Sequence, residues 1–210
     1  SSAASDVYKR QEIARELRNE LKLKGAYFCT PAESDRLAKV IFLGKQRMNP
    51  DRVGQSPEVL AGLAQFSIPP KTRILISEEA EIGWHRPLSA EKLNPVLAFY
   101  VANDENHALE LANNIAKFEG WGHSSVVHSD DPKIVAKFAS IPTGRVLVNT
   151  PAILGGMGYS TDLEPSFMLG TGTWSGSITS DNVTALHLIN IKRVAYESRP
   201  WRDIYEQYGE

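Results

Sequence analysis

The sequence has one cysteine, no long apolar run and little net charge. A single cysteine cannot form an internal disulfide, which is typical of proteins in a reducing compartment. No apolar stretch reaches the ~20 residues that a membrane-spanning helix needs, and the start of the chain does not read as a signal peptide. We therefore expect a cytoplasmic globular protein with no membrane contact.

Charge and histidine placement limit the classes of partner. The formal net charge is −2, so no basic patch for nucleic acid or anionic lipid is expected. His123 and His128 flank a predicted strand and therefore lie on opposite faces, and no third ligand follows at helical spacing. The sequence thus predicts neither a nucleic-acid partner nor a metal site.

The rest of the pattern alternates between strands and helices. Apolar segments at 73–77, 96–101, 125–128 and 145–149 read as buried strands, and amphipathic helical patterns separate them. Helix starts are marked by the capping box Thr30-Pro-Ala-Glu33, by Ser56 and by Asp131, each followed by proline. This alternation predicts an α/β fold with a mostly parallel sheet and helices on both faces.

The texture changes after Pro151. Gly-rich stretches at 155–158 and 170–176 predict a loop-rich C-terminal part, and residues 184–197 return to a helical or mixed pattern. Trp174 within the second stretch is expected to be a buried core residue, the alternative being a residue that faces a ligand pocket.

Four segments carry a resemblance to a known family. Residues 90–96 read Ala-Glu-Lys-Leu-Asn-Pro-Val, residues 120–123 read Gly-Trp-Gly-His, residues 143–151 end in Val-Asn-Thr-Pro, and residues 170–176 read Gly-Thr-Gly-Thr-Trp-Ser-Gly. Their order resembles the C-terminal half of the CoA-acylating aldehyde dehydrogenases, from about residue 25 to about residue 196. In that family an upstream cysteine attacks the aldehyde, hydride passes to NAD, and CoA releases the acyl group.

The resemblance implies cofactor contacts for Glu91 and Leu93. Glu91 matches the glutamate of the family's Glu-x-x-x-Pro-Val motif, which binds the nicotinamide ribose hydroxyls, and Leu93 would lie near the nicotinamide ring. A carboxylate suits this task because it accepts two hydroxyl donors at once. From spacing alone, Glu91 reads as a solvated glutamate before a strand.

His123 is the candidate catalytic residue in the chain. It matches the histidine of the Gly-x-Gly-His segment that borders the catalytic thiol in the family. An imidazole can accept a proton from a thiol near neutral pH, so His123 would help to deprotonate the CoA thiol or polarise the hemithioacetal. The alternative is a histidine that caps a helix end or satisfies a carbonyl at the end of a strand.

The lone Cys29 is rejected as the nucleophile. It follows the apolar segment Ala26-Tyr-Phe28 and reads as a small core hydrophobe. In the family the reactive cysteine precedes the helix that begins here near residue 12. The chain is therefore expected to lack the nucleophile and to be inactive by itself.

A second group of residues matches the family's substrate pocket. Its members lie at or just after the last predicted strand, where glycines let the backbone approach a ligand closely. They are Asn149, Thr150, Gly155 and Gly156. The Gly-Gly pair alone is weak evidence, since no phosphate-binding motif follows it. Ser175 and Ser177 depart from the more common Gly and Asn of the family, which leaves the substrate class open.

The expected division has three parts. Residues 6–11 back-translate to a sequence that looks like a transposon end from sequencing libraries, so residues 1–11 are predicted to be a non-native tail, the alternative being an ordinary polar tail. Residues 12–183 would be a partial catalytic domain, and residues 184–210 a C-terminal oligomerisation segment of a homodimer or higher homo-oligomer.

The predicted function is that of part of an oxidoreductase using NAD, CoA and a small aldehyde, free in the cytoplasm or inside a bacterial microcompartment. Two alternatives stay open: a hydrolytic NAD(P)-dependent aldehyde dehydrogenase, or a non-catalytic α/β assembly module.

Overall fold

The computed structural model describes residues 7–44 and 47–209, with the backbone alone for residues 7–12. Numbered in chain order, the strands are β1 Val7–Arg10, β2 Ala26–Phe28, β3 Phe42–Leu43, β4 Arg47–Met48, β5 Ile74–Glu78, β6 Val96–Ala102, β7 Ser124–Val127 and β8 Arg145–Val148. The helices are α1 Gln11–Leu23, α2 Pro31–Ile41, α3 Pro57–Leu63, α4 Glu105–Glu119, α5 Pro132–Phe138, α6 Ala152–Gly156 and α7 Trp201–Tyr208.

The four predicted strands and their parallel pairing are confirmed. The main sheet has the order β1-β6-β5-β2, and each neighbouring pair is parallel. The predicted helix starts are confirmed as well: Thr30 and Glu33 form a complete capping box at α2, while Ser56 and Asp131 cap α3 and α5. Each cap satisfies a backbone N–H that the first helical turn leaves without an acceptor.

Helices cover both faces of the main sheet, as the alternating pattern predicts. Ala98, Tyr100 and Ala102 lie two residues apart on β6, share one face, and pack against Leu111 and Ile115 of α4. Phe99 lies on the other face, where its ring contacts Phe28 and the Arg18 guanidinium of α1. The main sheet is therefore packed on both faces, as expected for a parallel sheet.

The strands do not all join one sheet. Strands β7 and β8 form a separate parallel pair, and β3 and β4 form a short antiparallel hairpin. The pattern of apolar residues predicts that a strand is buried but does not specify its neighbour, which is why the number of sheets differs from the expectation.

The connection β6–α4–β7 decides what lies near the candidate site. Helix α4 follows β6 and carries the chain from the carboxyl end of β6 back to the amino end of β7. The C-terminus of α4 therefore lies beside the start of β6 and of β7. We call this side of the molecule the amino edge, defined by residues 91–95, 119–123 and 142–144.

Both ends of the described chain differ from expectation in detail. Part of the predicted tail, Val7–Arg10, pairs with Phe99–Ala102 as the edge strand β1, and its non-native origin stays a prediction. Residues 184–197 contain one 3₁₀ turn, Ala185–Leu188, and no other regular element, whereas α7 follows where no helix was predicted. None of the described helices is long and apolar enough to cross a membrane.

Candidate functional site at the amino edge

Glu91 lies in the loop that enters β6, directly after the 3₁₀ turn Pro87–Ser89. Its backbone N–H donates a hydrogen bond to Oε2 of Glu119 at 2.9 Å. The Glu91 side chain is half-buried, and its carboxylate has no hydrogen bond or ion pair with any described residue. A carboxylate without a protein partner is chemically suited to accept hydroxyl donors from a ligand.

The loop that carries Glu91 is anchored by an ion pair between the buried Glu79 and the partly exposed Arg86. The Glu79 carboxylate accepts hydrogen bonds from Ser77 Oγ and Arg86 Nε, both at 2.7 Å, and the Glu79 side chain is 2% exposed. The hydrogen bond that Arg86 donates to Glu79 raises the pKa of the Arg86 guanidinium above its ordinary value. Ser89 Oγ accepts a hydrogen bond from the Gly83 N–H at 2.9 Å. These contacts fix the backbone on which Glu91 is placed.

Leu93 lies two residues further along the same loop. Its carbonyl accepts a hydrogen bond from the Gly54 N–H at 2.8 Å, which holds its backbone in place. The apolar side chain of Leu93 is exposed to solvent. An ordered backbone with an exposed apolar side chain is compatible with the predicted contact to a planar ring.

His123 immediately precedes β7, in a turn whose preceding residue, Gly122, has no room for a side chain. Its N–H donates to the Gly120 carbonyl at 3.0 Å, and its carbonyl accepts from the Gly144 N–H at 2.9 Å. Gly122 has φ +73°, and a Cβ there would lie 1.9 Å from the Thr171 carbonyl oxygen. The second glycine of the Gly-x-Gly-His segment is thus required by close backbone packing. The turn holds His123 at the amino edge.

Trp174 corrects a prediction. The residue was expected in the core, but its side chain is 56% exposed, and its ring lies 5.4 Å from that of Trp121 between centroids. Trp121 is in turn fixed by a hydrogen bond from its indole N–H to the Lys117 carbonyl. The prediction failed because Trp is usually buried, whereas here the 3₁₀ turn Thr173–Ser175 presents it on the surface.

Arg145 organises the segment next to the candidate site, and its role was not predicted from the sequence. It starts β8, is 7% exposed, and donates to Asn182 Oδ1, to the Gly170 carbonyl and to the Ser180 carbonyl, each at 2.8 Å. Burial lowers the pKa of its guanidinium, and the Asp181 charge opposes that shift. Arg145 therefore ties residues 170–182, the segment most specific to the resemblance, to the strand beside His123.

The one feature of the sequence that could have identified Arg145 is its positive charge at the start of a predicted strand. An arginine at the entrance of an otherwise apolar strand must find several acceptors when it is buried. The acceptors lie 25 to 37 residues away and could not be assigned from local pattern.

Asn149 and Thr150 lie at the other end of β8 from the amino edge. The Asn149 amide accepts from the Ser129 N–H and donates to the Ser129 carbonyl and to Asp130, so it fastens the loop after β7. Thr150 is buried and its hydroxyl bonds that of Ser160. The structure does not bring these two residues together with Glu91 and His123, and their pocket role stays a prediction.

Gly155 and Gly156 end α6, which packs against β7 and β8. A Cβ on Gly155 would lie 2.5 Å from Cγ2 of Thr150, and one on Gly156 would lie 3.7 Å from Oγ of Ser124. The helix thus leads from the Asn149 end back toward the strand start next to His123. Gly156 is the predicted pocket glycine that the structure places near the amino edge.

Cys29 is a core residue, as predicted. It is buried among Leu37, Ile41, Leu75 and other apolar residues. Burial raises the pKa of its thiol from 9.0 to about 12. A thiol of this kind is almost entirely protonated at neutral pH and is unsuited to nucleophilic attack. Among the described residues, no group of three or more His, Cys, Asp or Glu side chains is arranged to hold a metal ion.

Comparison with known proteins identifies relatives over most of the chain. No protein-family model matches. The aldehyde-alcohol dehydrogenase of Clostridium acetobutylicum is 38% identical over 191 residues, covering 88% of this chain and 22% of the relative. The bifunctional aldehyde-alcohol dehydrogenase of Escherichia coli is 39% identical over 185 residues, covering 85% of this chain and 21% of that protein.

A solved structure shows that the fold is shared as well. The acetylating aldehyde dehydrogenase of Geobacillus thermoglucosidasius superposes with a TM-score of 0.87 at 38% identity, covering 93% of this chain and 43% of that structure. The chain thus spans about a fifth of the length of the first curated relatives. The chain belongs to the acylating aldehyde dehydrogenases, of which it represents a partial region.

Proposed function

We propose that the chain is part of an enzyme that converts an aldehyde, CoA and NAD to acyl-CoA and NADH. The observation that carries the proposal is the Glu91 carboxylate, half-buried and without a partner among the described residues, on a loop bonded to the C-terminus of α4. The same helix end leads directly into the turn that holds His123. Two groups suited to cofactor binding and proton transfer therefore share the amino edge.

Glu91 is proposed to accept hydrogen bonds from the nicotinamide ribose hydroxyls. The residues present fit that role, because the carboxylate is unpaired among the described residues and its backbone is fixed by Glu119 and by the Glu79–Arg86 ion pair. Leu93 supplies an exposed apolar side chain two residues away for the ring. When bound, NAD would supply the hydride acceptor of the reaction.

His123 is proposed as the proton acceptor for the thiol of CoA. Its ring makes no hydrogen bond or ion pair with any described residue, so both nitrogens are open to a ligand. Neutral imidazole can take the thiol proton, which produces the nucleophilic thiolate. The loops that contain Asn149, Thr150, Gly155 and Gly156 are proposed to form the walls of the substrate pocket.

The nucleophile is proposed to come from sequence upstream of residue 12. Cys29 cannot serve, because it is buried with a raised pKa. The 210-residue chain by itself is therefore proposed to be inactive. Residues 12–183 would form part of the catalytic domain in this arrangement. The lone buried thiol also agrees with a reducing compartment, which supports the cytoplasm as the location.

Residues 184–208 are proposed to bind a second copy of the protein. Their apolar side chains are unusually exposed for a folded chain, and such surfaces mark interaction sites. The members exposed by half or more are Leu186, Leu188, Ile189, Ile191, Val194, Tyr196, Trp201, Tyr205 and Tyr208. A homodimer or higher homo-oligomer would cover these side chains. If so, the protein truncated before residue 184 should be a monomer when its sedimentation velocity is measured.

A turnover assay of the full-length protein that contains this chain tests the function. We expect NADH formation from a short aldehyde to require CoA, with acyl-CoA as the product. The Cys29→Ala variant should keep that activity, since the thiol lies outside the chemistry. Equal NADH formation without CoA, together with free acid as product, would instead support a hydrolytic enzyme.

A second outcome separates catalysis from assembly. A full-length protein that forms oligomers but shows no NADH formation with any short aldehyde would support the non-catalytic module. Detectable CoA- and NAD-dependent turnover by the purified 210-residue chain would contradict the proposed upstream nucleophile.

A further inference from the structure

We infer that Glu119 is a positioning residue that holds Glu91 in place for the dinucleotide. This inference rests on the proposed function of Glu91. Glu119 is the last residue of α4, and its Oε2 accepts the Glu91 N–H at 2.9 Å. The Glu119 carboxylate makes no other hydrogen bond with the described residues. Among the described residues, its one hydrogen bond is therefore to the backbone of the candidate cofactor-binding residue.

The position of Glu119 goes against the electrostatic preference of a helix. Carbonyl groups at a helix C-terminus create a partial negative charge, so an anionic side chain in the last turn is unfavourable there. The hydrogen bond to Glu91 offsets this cost, because a carboxylate is a stronger acceptor than a neutral group. The arrangement makes physical sense when the gain is a fixed Glu91 backbone.

Glu119 also joins the two parts of the candidate site. The next residue, Gly120, donates to the Ala116 carbonyl and accepts from the His123 N–H. A Cβ on Gly120 would lie 3.0 Å from the Ala116 Cα, so the close packing there leaves little room for a side chain. The Glu91 loop and the His123 turn are consequently anchored to the same two residues at the end of α4.

The contact leaves the Glu91 side chain available to a ligand. Glu119 engages only the main-chain N–H of Glu91, whose own carboxylate stays unpaired among the described residues. The role of Glu119 is therefore to orient the loop and not to touch NAD. Its removal should weaken NAD binding through Glu91 alone.

The test is a double-mutant cycle in the full-length protein, read by NAD affinity in calorimetry and by KM and kcat. Glu119→Ala should raise the Kd for NAD about tenfold, because one charge-assisted hydrogen bond is lost, with kcat changed less. Glu119→Gln, whose amide oxygen can still accept, should restore most of the affinity. Glu110→Ala, on the exposed side of α4, is the matched control and should change neither quantity.

The cycle separates this inference from the proposed function. In a Glu91→Ala background, Glu119→Ala should have no further effect on the Kd for NAD. An undiminished effect in that background would show a general structural role and overturn the inference. Unchanged affinity in folded Glu119→Ala, with weakened affinity in Glu91→Ala, would overturn the inference alone. Unchanged affinity in Glu91→Ala would overturn the proposed function with it.

Discussion

The Glu91 N–H donates to the Glu119 carboxylate at 2.9 Å, across 28 positions of sequence. This bond joins the loop before β6 to the end of α4, and the following turn places His123 at the start of β7. Ligands in open parallel sheets usually bind at the carboxyl ends of strands. The candidate site here is at the opposite side, formed by loops that enter the strands.

His123 and His128 offer a matched pair for testing the site, because they flank β7 at its two ends. We expect His123→Ala to lower kcat for acyl-CoA formation about a hundredfold or more in the full-length protein, since the proposed general base is lost. The Kd for NAD should stay within about twofold of wild type, because Glu91, the proposed cofactor-binding carboxylate, is intact. The measurement is steady-state kinetics with CoA as the varied substrate.

The exposed His128 at the other end of the strand is the control, and His128→Ala should behave as wild type. Equal kinetic loss in both variants would point to damage to β7 and against a role for His123 in proton transfer.

Replacing Arg145 should destabilise the protein. Arg145→Met leaves the Gly170 and Ser180 carbonyls and the Asn182 side chain without their buried donor. We expect a loss of about 3 kcal/mol in the free energy of unfolding, measured by urea denaturation. Arg145→Lys should restore little, because one ammonium cannot reproduce the fork of the guanidinium.

A surface cation provides the comparison for Arg145. Lys133→Met, on the exposed face of α5, should change the free energy of unfolding by no more than about 0.5 kcal/mol. An Arg145→Met protein as stable as wild type would show that the 170–182 segment is held by other contacts.

Local signals in the sequence were sufficient for the elements. The Thr30–Glu33 box, the Ser56 and Asp131 caps and the four apolar strand segments depend on residues within a few positions of one another. The structure confirms them. The buried Cys29 followed equally from its apolar neighbours.

Long-range contacts were beyond that reasoning. The acceptors of Arg145 and the Glu91–Glu119 bond join residues 25 to 37 positions apart, and no local pattern encodes such partners. The separate β7–β8 pair and the exposure of Trp174 depend likewise on which surfaces meet in three dimensions. Family resemblance identified the Gly-x-Gly-His segment, but the contact of Gly122 with Thr171 explains it.

Glu33 should contribute stability that depends on pH. Burial raises the pKa of its carboxyl, but hydrogen bonds from Thr30 and Tyr27 and the Arg36 charge outweigh this and lower it below 4.5. A carboxyl group whose pKa is lower in the folded state than in the unfolded state stabilises the fold at any pH above its unfolded-state pKa. This stabilisation is lost as the pH falls through the folded-state pKa.

Glu33→Ala should therefore cost about 1 kcal/mol of unfolding free energy at pH 7, the usual worth of a capping interaction. The difference from wild type should shrink as the pH falls below about 4.5. Glu33→Gln keeps the capping geometry without the charge and should show a weaker pH dependence. A wild-type advantage that grew toward acid pH would refute the lowered pKa.

The affinity of the full-length protein for NAD, measured by calorimetry without aldehyde in wild type and Glu91→Ala, is the most direct test of the central claim. If Glu91 accepts two ribose hydroxyls as proposed, its loss should weaken binding about 10- to 100-fold. Equal affinity in the two proteins, with the variant properly folded, would contradict the assignment of the amino edge as the dinucleotide site.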